Sequence, residues 1–375
     1  MSLLDPAAPT GRTSHHEQPF TLGHGQRELT RAGSGATIAL ARWWHQATHT
    51  PTVRARPPGR PVRGPGSPHH YIANRVEEFA VGSAESGERV WWYVPDVLLE
   101  GDHAPVVIYL HGFRAAIPDL YSEHIHHLTR QGIIVVFPRY NKASLSGMFT
   151  DNDQPMMMHR AVASVDRALE ELAPVIDEER IYAFGHSLGG LFAACWQGCG
   201  GISLAGMVLA HPSISLERIP EFVRERVQIT PLHHERLLHQ VDVPAVLLNG
   251  NADTIAPTDE SDRLFELLVN APKKWLFEAE SDEHGAPRIQ AGHLATVRDD
   301  SHALHWMIEN FGGGTAGDDT LHYRFYYAAL DAMVHGEPYE FDMGRWSDGT
   351  PVRPIVKRRE FIAPPAAQGE TRATT

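Results

Sequence analysis

The sequence predicts an α/β chain built on a mostly parallel central sheet with helices on both faces. Three observations carry this. From about residue 71 to 280, short apolar runs suited to buried strands alternate with helix-compatible segments across short connections. One run, Ile181 to Phe184, passes through Gly185-His186-Ser187-Leu188-Gly189 straight into a helical segment at Leu191, so that strand, sharp turn and helix follow one another. With 42% hydrophobic residues in 375, the chain can bury a sizeable core in one large domain.

In chain order, residues 1–70 form a basic, Pro-, Gly- and His-rich extension, expected to be mobile because it offers little apolar surface to offset the entropy of ordering. A short helix around Ile38 to His45, carrying Trp43 and Trp44, could pack on the main domain, which spans 71–340. Val76 to Val81 and Arg89 to Val94 read as strands joined by a polar turn. Pro105 to Leu110 is a continuous apolar run typical of a strand buried on both faces, and it ends in His111-Gly112-Phe113. A helix from Leu120 to Arg130, a strand from Ile133 to Phe137 and a helix from Met156 to Leu172 lead to the strand before Ser187.

Beyond the serine, Leu204 to Ala210 is a strand closed by His211-Pro212. The polar, helix-prone stretch 214–240 is the place for a cap. Val243 to Leu248 is the next strand, Glu260 to Leu268 a helix and Lys274 to Ala279 the last core strand. Helices follow over 299–310 and 321–334, the second with Tyr323, Tyr326, Tyr327, Leu330 and Met333 on one stripe, read as packing. Residues 341–375 form a C-terminal extension, disordered from about 364.

The chemistry centres on Ser187. Glycines two before and two after it leave room for a serine held in a strained strand-to-helix turn, and the N–H of Leu188 then faces the oxygen of a bound carbonyl. Phe113, after the His-Gly pair at a strand end, is suited to give the second oxyanion donor. A serine hydroxyl becomes nucleophilic when a histidine takes its proton and a carboxylate orients that histidine. Asp253, in Gly250-Asn251-Ala252-Asp253 just past a strand, is the candidate acid. Two histidines can serve as base: His284, which spacing slightly favours, and His293. Asp282 and Glu283 would favour the protonated form of His284, a poor state for a general base.

Taken together, Leu110-His111-Gly112-Phe113, Gly185-His186-Ser187-Leu188-Gly189-Gly190, Asn251-Ala252-Asp253 and Gly292-His293 resemble the α/β-hydrolase superfamily over residues 71 to about 312. The first block, with Tyr121 and Gln131 to Pro138, is similar to the chlorophyllase and polyester-hydrolase (cutinase-like) branch, and the ending Met343 to Val352 resembles uncharacterised bacterial members. The resemblance implies a serine esterase working through an acyl-enzyme, and it favours His293 as base. Acyl transfer to an alcohol on the same triad, or a non-catalytic ligand-binding relative, are the rivals. No cofactor or metal is implied, and the expected partner is a small-molecule ester.

Composition narrows the rest. A net charge of −13 argues against a nucleic-acid partner, and no glycine-rich phosphate loop is present. No apolar run approaches the roughly 18 residues of a membrane span, and no export signal is recognisable, so a soluble, cytoplasmic protein is expected. The oligomeric state is not legible. Cys195 and Cys199 lie four apart on one helix and read as small buried residues. His124, His126 and His127 on one predicted helix, and Asp151 to Asp153 in a loop, lack complete metal spacing and are expected to face solvent.

Overall fold

Nine strands form one sheet in the order β1-β2-β4-β3-β5-β6-β7-β8-β9. The computed structural model describes residues 54–143, 151–215, 229–298 and 319–364. These belong to one compact unit that begins at Arg54. Trp43, Trp44, the helix expected over 299–310 with His302 and His305, residues 216–228 of the cap stretch and the final tail lie outside the described residues.

The strands are β1 (Val76–Val81), β2 (Val90–Pro95), β3 (Ala104–Leu110), β4 (Ile134–Pro138), β5 (Ile176–His186), β6 (Gly206–Ala210), β7 (Ala245–Gly250), β8 (Lys273–Ala279) and β9 (Val356–Ile362). From β3 to β8 the strands run parallel, whereas β1 and β2 at one edge and β9 at the other are antiparallel. Every residue of β3, β4, β6 and β7 is buried, as the continuous apolar runs demand of strands covered on both faces.

Alternation along β3 divides the core. Val106, Ile108 and Leu110 pack with α2 (Gln154–Leu172) and α3 (Leu188–Cys195), while Val107 and Tyr109 pack with α1 (Ser122–Arg130) and the C-terminal helix. Helix α2 starts where Asp153 accepts a hydrogen bond from the Met156 N–H at 2.9 Å. All eight residues of α3 are buried, so this helix is apolar all round. The aromatic stripe is indeed packing for Tyr323, Tyr326, Tyr327 and Leu330, but its backbone is π-helical over His322–Tyr327 before regular α4 (Ala328–His335).

Three expectations need correction. The sheet does not end at β8: β9 adds along its edge, and its sequence, Val-Lys-Arg-Arg-Glu-Phe-Ile, hides a strand behind the charges an exposed edge carries. Residues 54–70, assigned to the mobile extension, are built into the domain: the Ala55 carbonyl accepts from the Ala286 N–H, and the Gly66 N–H donates to Asp331 at 2.7 Å. The histidines of α1 do not all face solvent. His124 is buried against the Tyr109 hydroxyl and stacked on Tyr327, and His127 is buried between Tyr71 and Asp331; only His126 is exposed. Asp151 likewise is buried in an ion pair with Arg160. Cys195 and Cys199 are free thiols, the first buried.

Candidate active site

The carboxyl ends of the parallel strands deliver the site residues, the edge at which open α/β sheets bind ligands. The register aligns His186 with Ala210 and Ala210 with Leu248, so Ser187, His211 and Asn249 follow at one level. Ser187 has φ 57° and ψ −119°, a backbone that L-residues rarely adopt. The flanking glycines make it possible: a Cβ on Gly185 would lie 2.2 Å from the Gly189 carbonyl oxygen, and one on Gly189 would lie 2.1 Å from that of Leu110.

The Ser187 Oγ is 2.8 Å from Nε2 of His293, and Nδ1 of His293 is 2.9 Å from Oδ2 of Asp253. All three are buried. Because a carboxylate can only accept, Nδ1 of His293 carries the proton and Nε2 is the lone pair facing the serine. The remaining oxygen of Asp253 accepts from the N–H groups of Ile255 and Ala256 at 2.9 and 2.8 Å. Burial alone would raise this carboxyl, but hydrogen bonds from His211 and His293 outweigh it and hold Asp253 well below the usual carboxylate range.

His284 stands elsewhere, half-exposed, with Nε2 2.7 Å from Asp348. Asp282, its expected neighbour in charge, accepts from the backbone N–H of His284 rather than from its ring, and also from the indole N–H of Trp346 and the backbone N–H of Arg353.

Leu188 follows the serine directly, and Gly112, the residue before Phe113, comes so near that a Cβ on it would lie 3.5 Å from that of Ser187. Leu188 is the first residue of α3, whose N–H has no partner within the helix. Among the described residues, neither its N–H nor that of Phe113 meets an acceptor. The loop before Phe113 is fixed from beneath. Tyr140 is fully buried, stacks on His111 with ring centroids 3.8 Å apart and donates its hydroxyl proton to the His111 carbonyl, so it shapes this loop rather than contacting ligand freely.

Four further side chains complete the site, in contacts that sequence reasoning did not assign. His186 bonds the carbonyl of His293 through Nε2 at 2.9 Å and the Tyr121 hydroxyl through Nδ1 at 2.9 Å, and that hydroxyl also accepts the Gly112 N–H. His211 bonds Asp253 at 2.7 Å and the Tyr326 hydroxyl at 2.6 Å. His211-Pro212 was visible as a strand end and Tyr326 as part of a stripe, but nothing local joins them.

His211, Asp253 and His293 offer one ligand atom each within 4.8 Å, a grouping that could hold a cation. Their N···O separations of 2.7 and 2.9 Å are those of hydrogen bonds with both Nδ1 atoms protonated, and the two backbone donors occupy the other carboxylate oxygen. The donor set is therefore that of a proton-handling site rather than a metal cage. No helix among the described residues is long and apolar enough to cross a membrane.

No protein-family model matches the sequence, and no curated protein matches it. Among solved structures, the acylaminoacyl peptidase of Pyrococcus horikoshii is similar over 72% of this chain and 43% of its own, at 15% identity and a TM-score of 0.50. An acylaminoacyl peptidase in complex with Z-Gly-Gly-Phe-chloromethyl ketone gives 16% identity, 72% and 44% coverage and the same TM-score. This chain thus spans less than half the length of either. Sheet order, strand directions and these likenesses agree: the chain has the α/β-hydrolase fold.

Proposed function

We propose that this protein is a serine hydrolase that cleaves carboxylic esters through an acyl-enzyme. The observation that carries the reading is the unbroken hydrogen-bond line from Ser187 through His293 to Asp253, at 2.8 and 2.9 Å. Ser187 Oγ attacks the acyl carbonyl while His293 Nε2 takes its proton, and Asp253 stabilises the imidazolium that forms. The carbonyl oxygen becomes an alkoxide held by the N–H groups of Phe113 and Leu188, the latter at a helix N-terminus; one such donor is worth roughly 3 kcal/mol. Collapse expels the alcohol, which leaves with the proton from His293, and water then repeats the cycle on the acyl-serine.

A panel of p-nitrophenyl esters of increasing acyl length tests this. The wild type should hydrolyse a subset of them and take up a fluorophosphonate probe, while a folded Ser187→Ala variant should do neither. Hydrolysis or labelling that survives in Ser187→Ala would refute the assignment.

A further inference from the structure

A second imidazole sits on the candidate acid. His211 is fully buried at the end of β6, and its Nδ1 lies 2.7 Å from Asp253 Oδ2, the oxygen that His293 also engages. It also lies 3.1 Å from Asn249 Oδ1, a second acceptor. Nε2 is 2.6 Å from the Tyr326 hydroxyl, on the π-helical segment. The other titratable groups facing it are the rings of His293 and His186, at centroid distances of 5.7 and 6.3 Å.

The position is held at a backbone cost. His211 has φ 49°, in the left-handed region where Gly or Asn is the usual choice, and its N–H is tied to the Leu248 carbonyl at 2.7 Å. A strained backbone carrying a buried imidazole, aimed from a different strand at the orienting carboxylate, is more than strand-end packing requires.

Resting on the serine-hydrolase reading, we propose that His211 is a positioning residue: it holds the Asp253 carboxylate in register with His293 and draws off part of its charge. Both acceptors at Nδ1 require that this nitrogen be the donor. The backbone N–H groups of Ile255 and Ala256 grip Oδ1 alone, and His211 supplies the second donor that stops the carboxylate rotating about that grip. By accepting from His211 as well as from His293, Oδ2 presents less charge to the base than a carboxylate bonded to His293 alone.

The test compares His211→Ala, His211→Asn and His211→Gln with the wild type and Ser187→Ala, by ester-hydrolysis kinetics across pH and by circular dichroism. The Asn amide nitrogen stands at the same bond distance from Cα as Nδ1 and can still donate to Asp253, and Asn tolerates the positive φ; the Gln amide reaches one bond further, toward Tyr326. His211→Ala should lower kcat about tenfold or more with little change in KM. Its acid limb should move up by about half a pH unit or more, because the unshared carboxylate stabilises the protonated base more strongly. His211→Asn should recover most of the rate and return the limb, and His211→Gln should not. A folded His211→Ala with wild-type kcat and limb, or Asn and Gln variants equal in both, would overturn the proposal; if the Ala variant does not fold, the Asn and Gln pair decides alone. Turnover that survives in Ser187→Ala would remove the hydrolase reading itself, whereas an inactive Ser187→Ala beside unaffected His211 variants would remove only this role.

Discussion

His186, the residue before the candidate nucleophile, hydrogen-bonds through Nε2 to the backbone carbonyl of His293, 107 positions later, at 2.9 Å. The contact fixes a tautomer. A carbonyl only accepts, so Nε2 carries the proton and Nδ1 is left as acceptor. The Tyr121 hydroxyl must then donate to Nδ1, and its lone pair accepts the Gly112 N–H at 3.0 Å. Burial, reinforced by the nearby His293 and His211, pushes His186 well below the ordinary histidine range and keeps it neutral, as this chain requires. One line of hydrogen bonds therefore joins the loop bearing Phe113 to the segment bearing His293.

Cutting that line should be costly. Tyr121→Phe removes a hydroxyl from a fully buried ring and strands both the Gly112 N–H and His186 Nδ1. A stability loss of roughly 1–3 kcal/mol is expected from the unpaired groups, together with a fall in kcat, read by urea unfolding and ester turnover. Wild-type values in both measurements would mean that the line is incidental.

The two candidate bases separate cleanly by substitution. His293→Ala should remove activity as completely as Ser187→Ala, with losses on the order of 10⁴-fold or more. His284→Ala should keep at least about a tenth of it, because that ring is occupied at the surface with Asp348. The Asp348 carboxyl is held down to about 2 by the Thr350 N–H and by His284, a local surface arrangement. Paired kinetics showing the reverse order would transfer the role to His284.

A buried acid links α4 to α1 and makes stability depend on pH. Burial would raise Asp331, but the His127 imidazole and the hydrogen bonds from His127, Gln131 and the Gly66 N–H bring it down to about 2, below its ordinary 3.8. A folded value below the unfolded one contributes stability that is present above about pH 4 and is lost as pH falls toward 2. The contribution is on the order of 2 kcal/mol. Asp331→Asn should therefore be less stable than the wild type at neutral pH and lose less stability over that acid window. Parallel urea-midpoint profiles for the two proteins would contradict the assignment.

Much of the fold was legible because it is written in short-range pattern. Apolar runs mark β3 to β8 within a residue or two at most ends, and the glycines around Ser187 state a local backbone requirement that tolerates no side chain. Asp253 stood out as the candidate acid from its place after a strand, and its carboxylate lies 2.9 Å from His293. Strand β9 was not, since an edge strand needs only one partner and its charged residues read as loop. The burial of His124 and His127 was equally hidden, because it depends on the C-terminal helical segment packing over α1 some 200 residues later.

The sequence by itself determined the order of strands from β1 to β8, the sharp turn that carries a serine, and the short list of groups that could serve it, all of which follow from steric and hydrophobic rules acting over a few neighbouring residues. Tertiary structure decided which histidine meets Ser187, that a second one meets Asp253, and that His186 and Tyr121 tie the two loops together. Those choices rest on hydrogen bonds that need about 3 Å separations between residues 40 to 115 positions apart. Only the register of the sheet and the path of the loops at its carboxyl edge set such distances.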